Sequence, residues 1–187
     1  MSEKLEQVLQ AIDTANAEDP NLDDGRPEAQ LYGQRMSAEL ARLNPAASEA
    51  LQIAARGQHI ERWKLKRSAY PVGRTGYLTW RKDQAKHHAE AVCALMQSAG
   101  YDTADCEAAG QMLRKEGIKR NTEVQALEDV ICFVFLKWYF APFAAKHEQD
   151  KVQRIVEKTA RKMSAEARAK VLQEFDLPAE LAQAFSG

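Results

Sequence analysis

Histidines and an aspartate at helical spacing are the residues of this chain that could hold a metal ion. His88 lies on the apolar stripe of its predicted helix, whereas its neighbour His87 falls on another face. Asp129 shares a face with Phe133, which predicts an inward carboxylate, and His59 lies on a mixed face. Two imidazoles and a carboxylate from three helices suit Zn, Mn or Fe, with Mg a further candidate. We therefore expect a divalent metal held by His59, His88 and Asp129, the alternative being hydrogen-bonded core histidines.

Two carboxylates enter the most continuous apolar run of the chain, residues 130–136. A carboxylate is costly to bury unless a metal, a cation or several donors compensate it, so Glu128 and Asp129 need such a partner. Glu128 and Glu90 are the candidate general bases for a metal-bound water. The alternative for Glu128 is a charge near a helix start, where the helix dipole favours it.

A basic segment between Arg62 and Lys82 interleaves arginines and lysines with aromatic residues around two glycines. Such a loop can offer guanidinium groups and backbone amides to a phosphate, and aromatic faces to a base or sugar. It matches neither a Walker loop nor a dinucleotide fingerprint. The alternative is a solvated loop with its aromatics packed beneath it. The residues predicted to bind substrate are Arg56, Arg67, Arg74, Tyr77 and Arg81.

Helical periodicity positions these residues. It predicts helices over 3–17, 77–98 and 103–116, a second helix from about Pro27, a third capped by Asn44 and extending to Trp63, and a central one from Thr122 to Pro142. Residues 130–136 alone resemble a buried strand, but no second strand could pair with them. We predict an all-α single compact domain of seven to nine helices. Its parts are an N-terminal helical hairpin (1–45), a core (46–165) and a C-terminal helical extension (166–187).

Composition limits the function classes. Hydrophobic residues make up 45% and charged residues 28% of the chain, and the formal net charge is -1, so any binding field must be local. The three cysteines form no Cys-x-x-Cys pair, which argues against a disulfide framework and favours a reducing cytoplasm. No run is long enough to cross a membrane and the N-terminus is not a signal peptide, so we expect a cytoplasmic monomer or homodimer with no membrane partner.

The chain contains several distinctive strings, among them Ala54-Ala55-Arg56-Gly57-Gln58-His59-Ile60, Tyr70-Pro71-x-x-Arg74-x-Gly76-Tyr77, His88-Ala89-Glu90, Gly100-Tyr101-Asp102 and Leu127-Glu128-Asp129. With these strings it resembles, over nearly its whole length, a family of bacterial and fungal proteins defined as a domain of unknown function, family 4202. This resemblance implies a shared fold and brings no activity with it.

A more distant resemblance is to the HD-type metal-dependent phosphohydrolases, which are all-α. It implies an HD-like helical bundle in which His59 is the first metal ligand and Asp129 the last. The chain contains no His-Asp dipeptide. Either His88 supplies the missing ligand or the site does not bind metal.

Two functions follow as expectations. The first is a metal-assisted hydrolase of a phosphorylated or nucleotide-like substrate. The second is a binding or scaffold protein that recognises an anionic partner, a nucleotide or RNA, without chemistry.

Overall fold

Helices account for most of the fold, and the predicted all-α class is confirmed. The structure, a computed structural model, describes residues 2–187, which form ten α-helices and one short antiparallel strand pair. Eight of the helices have eight residues or more, and the other two are single turns. The chain forms two compact units, one ending at Glu116 and the other covering Gly117–Gly187. None of the helices in 2–187 is long and apolar enough to span a bilayer.

The first unit contains five helices. They are α1 (Glu3–Asn16), α2 (Glu28–Leu43), α3 (Glu49–Arg56), α4 (Arg74–Ser98) and α5 (Thr103–Arg114). Side-chain oxygens of Ser2, Ser48 and Asp102 accept from backbone amides of the first turns of α1, α3 and α5, which satisfies donors that lack a helical partner. Two 3₁₀ turns, Arg62–Lys64 and Arg67–Ala69, lie between α3 and α4.

A tight hairpin joins α1 to α2. Strand β1 (Leu22–Asp23) pairs antiparallel with β2 (Arg26–Pro27), and the turn between them has positive φ at Asp24 (52°) and Gly25 (70°). Asp-Gly is a preferred sequence for such a turn because both residues tolerate the left-handed conformation. Helical periodicity does not reveal this strand pair, because its strands have only two residues each.

Apolar faces of the first unit's helices meet in one core. The residues that lose nearly all their surface are Leu5, Val8, Ile12, Met36, Leu40, Leu51, Ile53, Ile60, Val92, Met96, Met112 and Leu113. Helix α4 packs along α5, and α3 contacts α1, α2 and α5. Hydrogen bonds from Trp80 and Gln84 to the Leu65 carbonyl hold the α3–α4 connection against α4.

The second unit is built on α6 (Thr122–Val134), which continues through a π-helical turn (Phe135–Tyr139) into α7 (Phe140–Ala144). Helices α8 (Gln149–Lys162), α9 (Ala165–Glu174) and α10 (Ala179–Ala182) follow, with a final 3₁₀ turn at Gln183–Phe185. The aromatic ring of Phe133 lies 5.7 Å from that of Phe175 in its core.

Several helix boundaries differ from the sequence prediction, and α4 begins at Arg74 rather than at Tyr77. Asn44 ends α2, and Ser48 instead caps α3 because its hydroxyl accepts from the Leu51 amide at 3.1 Å. Helix α3 stops at Arg56 rather than continuing to Trp63. Pro142 does not end the central helix, which continues through the π-helical turn to Ala144.

Candidate functional site

Two histidines of the first unit lie close together beside a tyrosine. His59, in the turn after α3, stacks on Tyr32 of α2 with ring centres 3.8 Å apart and planes 13° from parallel. The ring of His88, on α4, lies 6.1 Å from that of His59. His88 is buried, with 3% of its surface exposed. The fold thus brings two of the three predicted metal ligands together.

Arg62 lies next to these rings in the first 3₁₀ turn. Its guanidinium carbon lies 4.7 Å from the centre of the Trp80 ring, within range for a cation–π contact. Two side chains of α4 hold this turn and the residue that follows it. The Gln84 amide donates to the Arg62 carbonyl at 2.8 Å, and the Trp80 indole donates to the Leu65 carbonyl at 2.8 Å. We call His59, Arg62, Arg81 and His88 the histidine–arginine cluster.

The local field of this cluster is positive. Burial lowers the pKa of His88 to about 3, and the charges of Arg62, His87 and Lys115 act in the same direction. Burial likewise holds the pKa of His59 well below its usual value. Four neighbouring residues lower this pKa further: Arg62, His88, Lys115 and Arg81. Both imidazoles are therefore neutral at pH 7.

Arg62 is the half-buried cation of the cluster. Burial lowers its pKa, as does the neighbouring Arg81, against smaller opposing effects of Tyr32, Glu28 and Tyr77. Among residues 2–187, no carboxylate forms an ion pair with the Arg62 guanidinium. A cation held in this way gains from any anion that reaches it.

Four buried polar atoms have no hydrogen-bond partner within the described part of the chain: Gln58 Oε1, Gln84 Oε1, His87 Nε2 and His88 Nε2. Gln84 and His88, which lie at the cluster, are 2% and 3% exposed, and Gln58 is 6% exposed. Buried polar atoms are normally paired, so unpaired ones indicate a missing bonding group.

Glu61 borders the cluster in a strained backbone conformation. Its φ of 51° lies in the left-handed region, which is uncommon for a residue other than glycine. Its carboxylate contacts Lys64 at 2.5 Å and lies 3.4 Å from His87 Nε2. The side chain therefore pairs with groups beside the cluster and not with its guanidinium groups.

Two of the predicted substrate-binding arginines are engaged in the fold. Arg56 contacts both carboxylate oxygens of Asp13, at 3.0 and 3.1 Å, and donates to the Ser37 hydroxyl at 2.9 Å. Arg67 donates to the carbonyls of Tyr70 and Pro71, both at 3.0 Å. These bonds join α3 to α1 and α2 and fold the loop that precedes α4.

The other three predicted substrate residues lie along α4. Arg74 is exposed at its first position, whereas Arg81 donates to the Tyr77 hydroxyl at 3.3 Å and lies near Arg62. Gly76 permits the close approach of the preceding loop, because a Cβ atom there would lie 1.9 Å from the Pro71 carbonyl oxygen. Tyr77 thus borders the cluster, to which Arg81 belongs.

Asp129 belongs to the second unit and performs a structural task there. Its Oδ1 accepts from the Ser164 amide at 2.8 Å and from the Gln125 amide group at 2.9 Å, which links α6 to the turn between α8 and α9. Asp129 is half-buried, while Glu128 is the carboxylate that is fully buried, 3.4 Å from Lys162 Nζ. The other candidate base, Glu90, is exposed on α4 near Lys86.

The predicted ligand set is not assembled within either unit. Among residues 2–187, no three His, Cys, Asp or Glu side chains form a group that could hold a metal ion. The charges that act on His59 and His88 are all cationic, which disfavours a divalent cation between them. These residues do not fit a metal centre, and we derive no chemical step through one.

Sequence reasoning did not select Arg62, Gln58 and Gln84 as site residues. Gln84 and His88 are four positions apart on one helix, so their shared face was visible from spacing. Arg62 was visible only as one of seven basic residues in the segment. No local signal distinguishes it, because its partner Trp80 lies on the next helix.

The fold and the cluster define an all-α protein with a partly buried cationic site. The chain belongs to the family described as domain of unknown function DUF4202, whose model matches residues 6–184. No curated protein and no solved structure matches the chain, so the comparisons give no support to the HD-type resemblance.

Proposed function

We propose that the protein binds a phosphate-bearing small ligand, such as a nucleotide, at the histidine–arginine cluster. The observation that carries the proposal is the half-buried Arg62 guanidinium, with which no carboxylate of residues 2–187 forms an ion pair and whose pKa the neighbouring Arg81 lowers. A guanidinium prefers a planar, two-pronged acceptor, and phosphate oxygens supply one.

The neutral histidines support an anion rather than a cation at this place. Every charged group that lowers the pKa of His59 or His88 is a cation, which disfavours a second cation between the two rings and favours an anion. Metal-assisted hydrolysis therefore stays a prediction with no specific observation in its favour. Binding without chemistry is the function that this arrangement supports best.

Trp80 provides a direct readout because the Arg62 guanidinium lies over its ring. In a chain with Trp63→Phe and Trp138→Phe, Trp80 is the remaining tryptophan. Titration with inorganic phosphate and with AMP should change its fluorescence. Arg62→Gln should weaken binding at least about tenfold, since a charge-assisted pair contributes about 1.5–3 kcal/mol.

Arg74→Gln is the matched control, because it removes the same charge from an exposed position at the start of α4. It should change the affinity by less than about twofold. Equal losses in both variants, or no binding of either probe, would contradict the proposal. Binding of a single-stranded RNA oligonucleotide without binding of AMP would instead support the nucleic-acid partner.

A further inference from the structure

The buried atoms at the cluster that lack a hydrogen-bond partner indicate which groups the ligand carries in addition to its phosphate. Gln84 and His88 lie one helical turn apart on α4, on the face turned to the Arg62 turn. Gln84 Oε1 and His88 Nε2 are both buried without a partner in the part of the chain that the structure describes. Two such groups side by side indicate a binding surface rather than an isolated packing defect.

The orientation of the Gln84 amide group is set by its surroundings. Its nitrogen donates to the carbonyls of Arg62 at 2.8 Å and Leu65 at 3.1 Å. Exchange of the nitrogen and oxygen would bring three oxygens together without a donor, so the unpaired atom is the oxygen. It is an acceptor that needs a donor.

His88 adds a second group of the same kind. Burial lowers its pKa to about 3, so the imidazole is uncharged at pH 7. An uncharged imidazole has one donor and one acceptor nitrogen, and we assign the acceptor to Nε2, with the proton on Nδ1.

A phosphate monoanion or dianion consists mainly of acceptors and leaves these two atoms unsatisfied. We infer that the ligand carries hydroxyl or amino donors next to its phosphate, as a phosphorylated polyol, sugar or nucleoside does. Gln84 and His88 accept from these donors, while Arg62 and Arg81 hold the phosphate. This inference rests on the proposed function, since it assigns the second half of the same ligand.

Two phosphate monoesters of nearly equal size test the inference. Glycerol 3-phosphate carries two hydroxyl donors, and propyl phosphate has the same three-carbon chain and phosphate with none. By calorimetry on the full-length protein at pH 7.5, glycerol 3-phosphate should bind at least about tenfold more tightly, because a site with buried acceptors rejects an analogue that lacks the donors. Inorganic phosphate serves as the reference for the arginine half of the site.

His88→Phe removes the acceptor and keeps a buried ring, and it should reduce the ratio of the two affinities towards one. Gln84→Met is a second variant, read by the same ratio after circular dichroism confirms the fold. Equal binding of the two esters by the wild type would overturn this inference and leave the proposed function intact. Failure of both esters and of inorganic phosphate to bind would overturn the proposed function itself.

Discussion

The side-chain oxygen of Asn16 accepts a hydrogen bond from the backbone amide of Glu61 at 2.9 Å. Asn16 is the last residue of α1 and has no exposed surface, and Glu61 is left-handed at φ 51°. This contact links α1 to the segment that carries the cluster. It stabilises a backbone conformation that costs roughly 1–2 kcal/mol for a residue with a side chain.

Asn16→Ala should therefore lower the free energy of unfolding by about 1–3 kcal/mol, because a buried amide loses its acceptor. Denaturant unfolding measures the change. Asn44→Ala, at the end of α2, is the control and should stay within about 0.5 kcal/mol. A loss in Asn16→Ala no larger than that of the control would show that Glu61 holds its conformation without this bond.

The length of α3 shows where sequence reasoning stops. Its apolar periodicity continues towards Trp63, yet the helix ends at Arg56. Glu61 then adopts the left-handed conformation, and its amide donates a hydrogen bond to Asn16, which lies 45 positions earlier in the chain. Spacing reports only neighbours along the chain, so it cannot reveal such a partner. Helix α5, with Asp102 at its start, was predicted to within about two residues because its signals are local.

Glu128 and Asp129 illustrate the same limit within one helix. Spacing assigned the inward position to Asp129, but Glu128 is the buried one, and it lies near Lys162. Adjacent residues differ by about 100° around the axis, so a helix that packs on two sides can bury either one. The positions of α8 and α9 decide between them, and periodicity does not contain those positions.

The stability of the fold should fall as the pH is lowered from 7.5 to 5.5, in part because His88 is buried. Its pKa is lowered from 6.5 to about 3, so the unfolded chain binds a proton in this range that the folded chain does not. A histidine whose pKa is lowered by folding contributes its full stabilisation when the pH is above the pKa that it has in the unfolded chain. Its contribution decreases progressively as the pH falls below that pKa. The loss should be about 1.4 kcal/mol for one such histidine over these two pH units.

His88→Phe isolates this contribution, because other titrating groups are common to both chains. Urea unfolding at pH 7.5 and at pH 5.5 gives, for each protein, the change in the free energy of unfolding between the two pH values. This change should be smaller in the variant than in the wild type by about 1.4 kcal/mol. Indistinguishable pH dependence would mean that His88 can be protonated in the folded state.

Arg67 and Arg74 should differ sharply although both were predicted to bind substrate. Arg67→Gln removes donors to the carbonyls of Tyr70 and Pro71, and it should cost about 1 kcal/mol. Arg74→Gln, at an exposed position, should stay within about 0.5 kcal/mol. Hydrogen exchange should also accelerate in residues 70–76 of the Arg67 variant alone. Unchanged exchange there would show that Arg67 does not hold the loop.

Two variants of Asp129 can distinguish a metal ligand from a structural hydrogen-bond acceptor. Because its Oδ1 accepts from the Ser164 amide and from Gln125, Asp129→Asn keeps an oxygen in place and loses only the charge. We expect a loss of about 1 kcal/mol, the difference between charged and neutral acceptors. Asp129→Ala removes the acceptor and should cost about 1–3 kcal/mol. Denaturant unfolding with and without chelator measures both.

The chelator separates the two roles because a metal bound only by the folded chain stabilises it by mass action, and its removal lowers the unfolding midpoint. A structural acceptor predicts the same midpoint with and without chelator in wild type and both variants. Asp176→Asn, an exposed change in the same unit, controls for the lost charge. A midpoint that falls with chelator in the wild type but not in Asp129→Asn would restore Asp129 as a metal ligand. In that case the bond to Ser164 would orient the carboxylate for the metal in addition to joining α6 to α9.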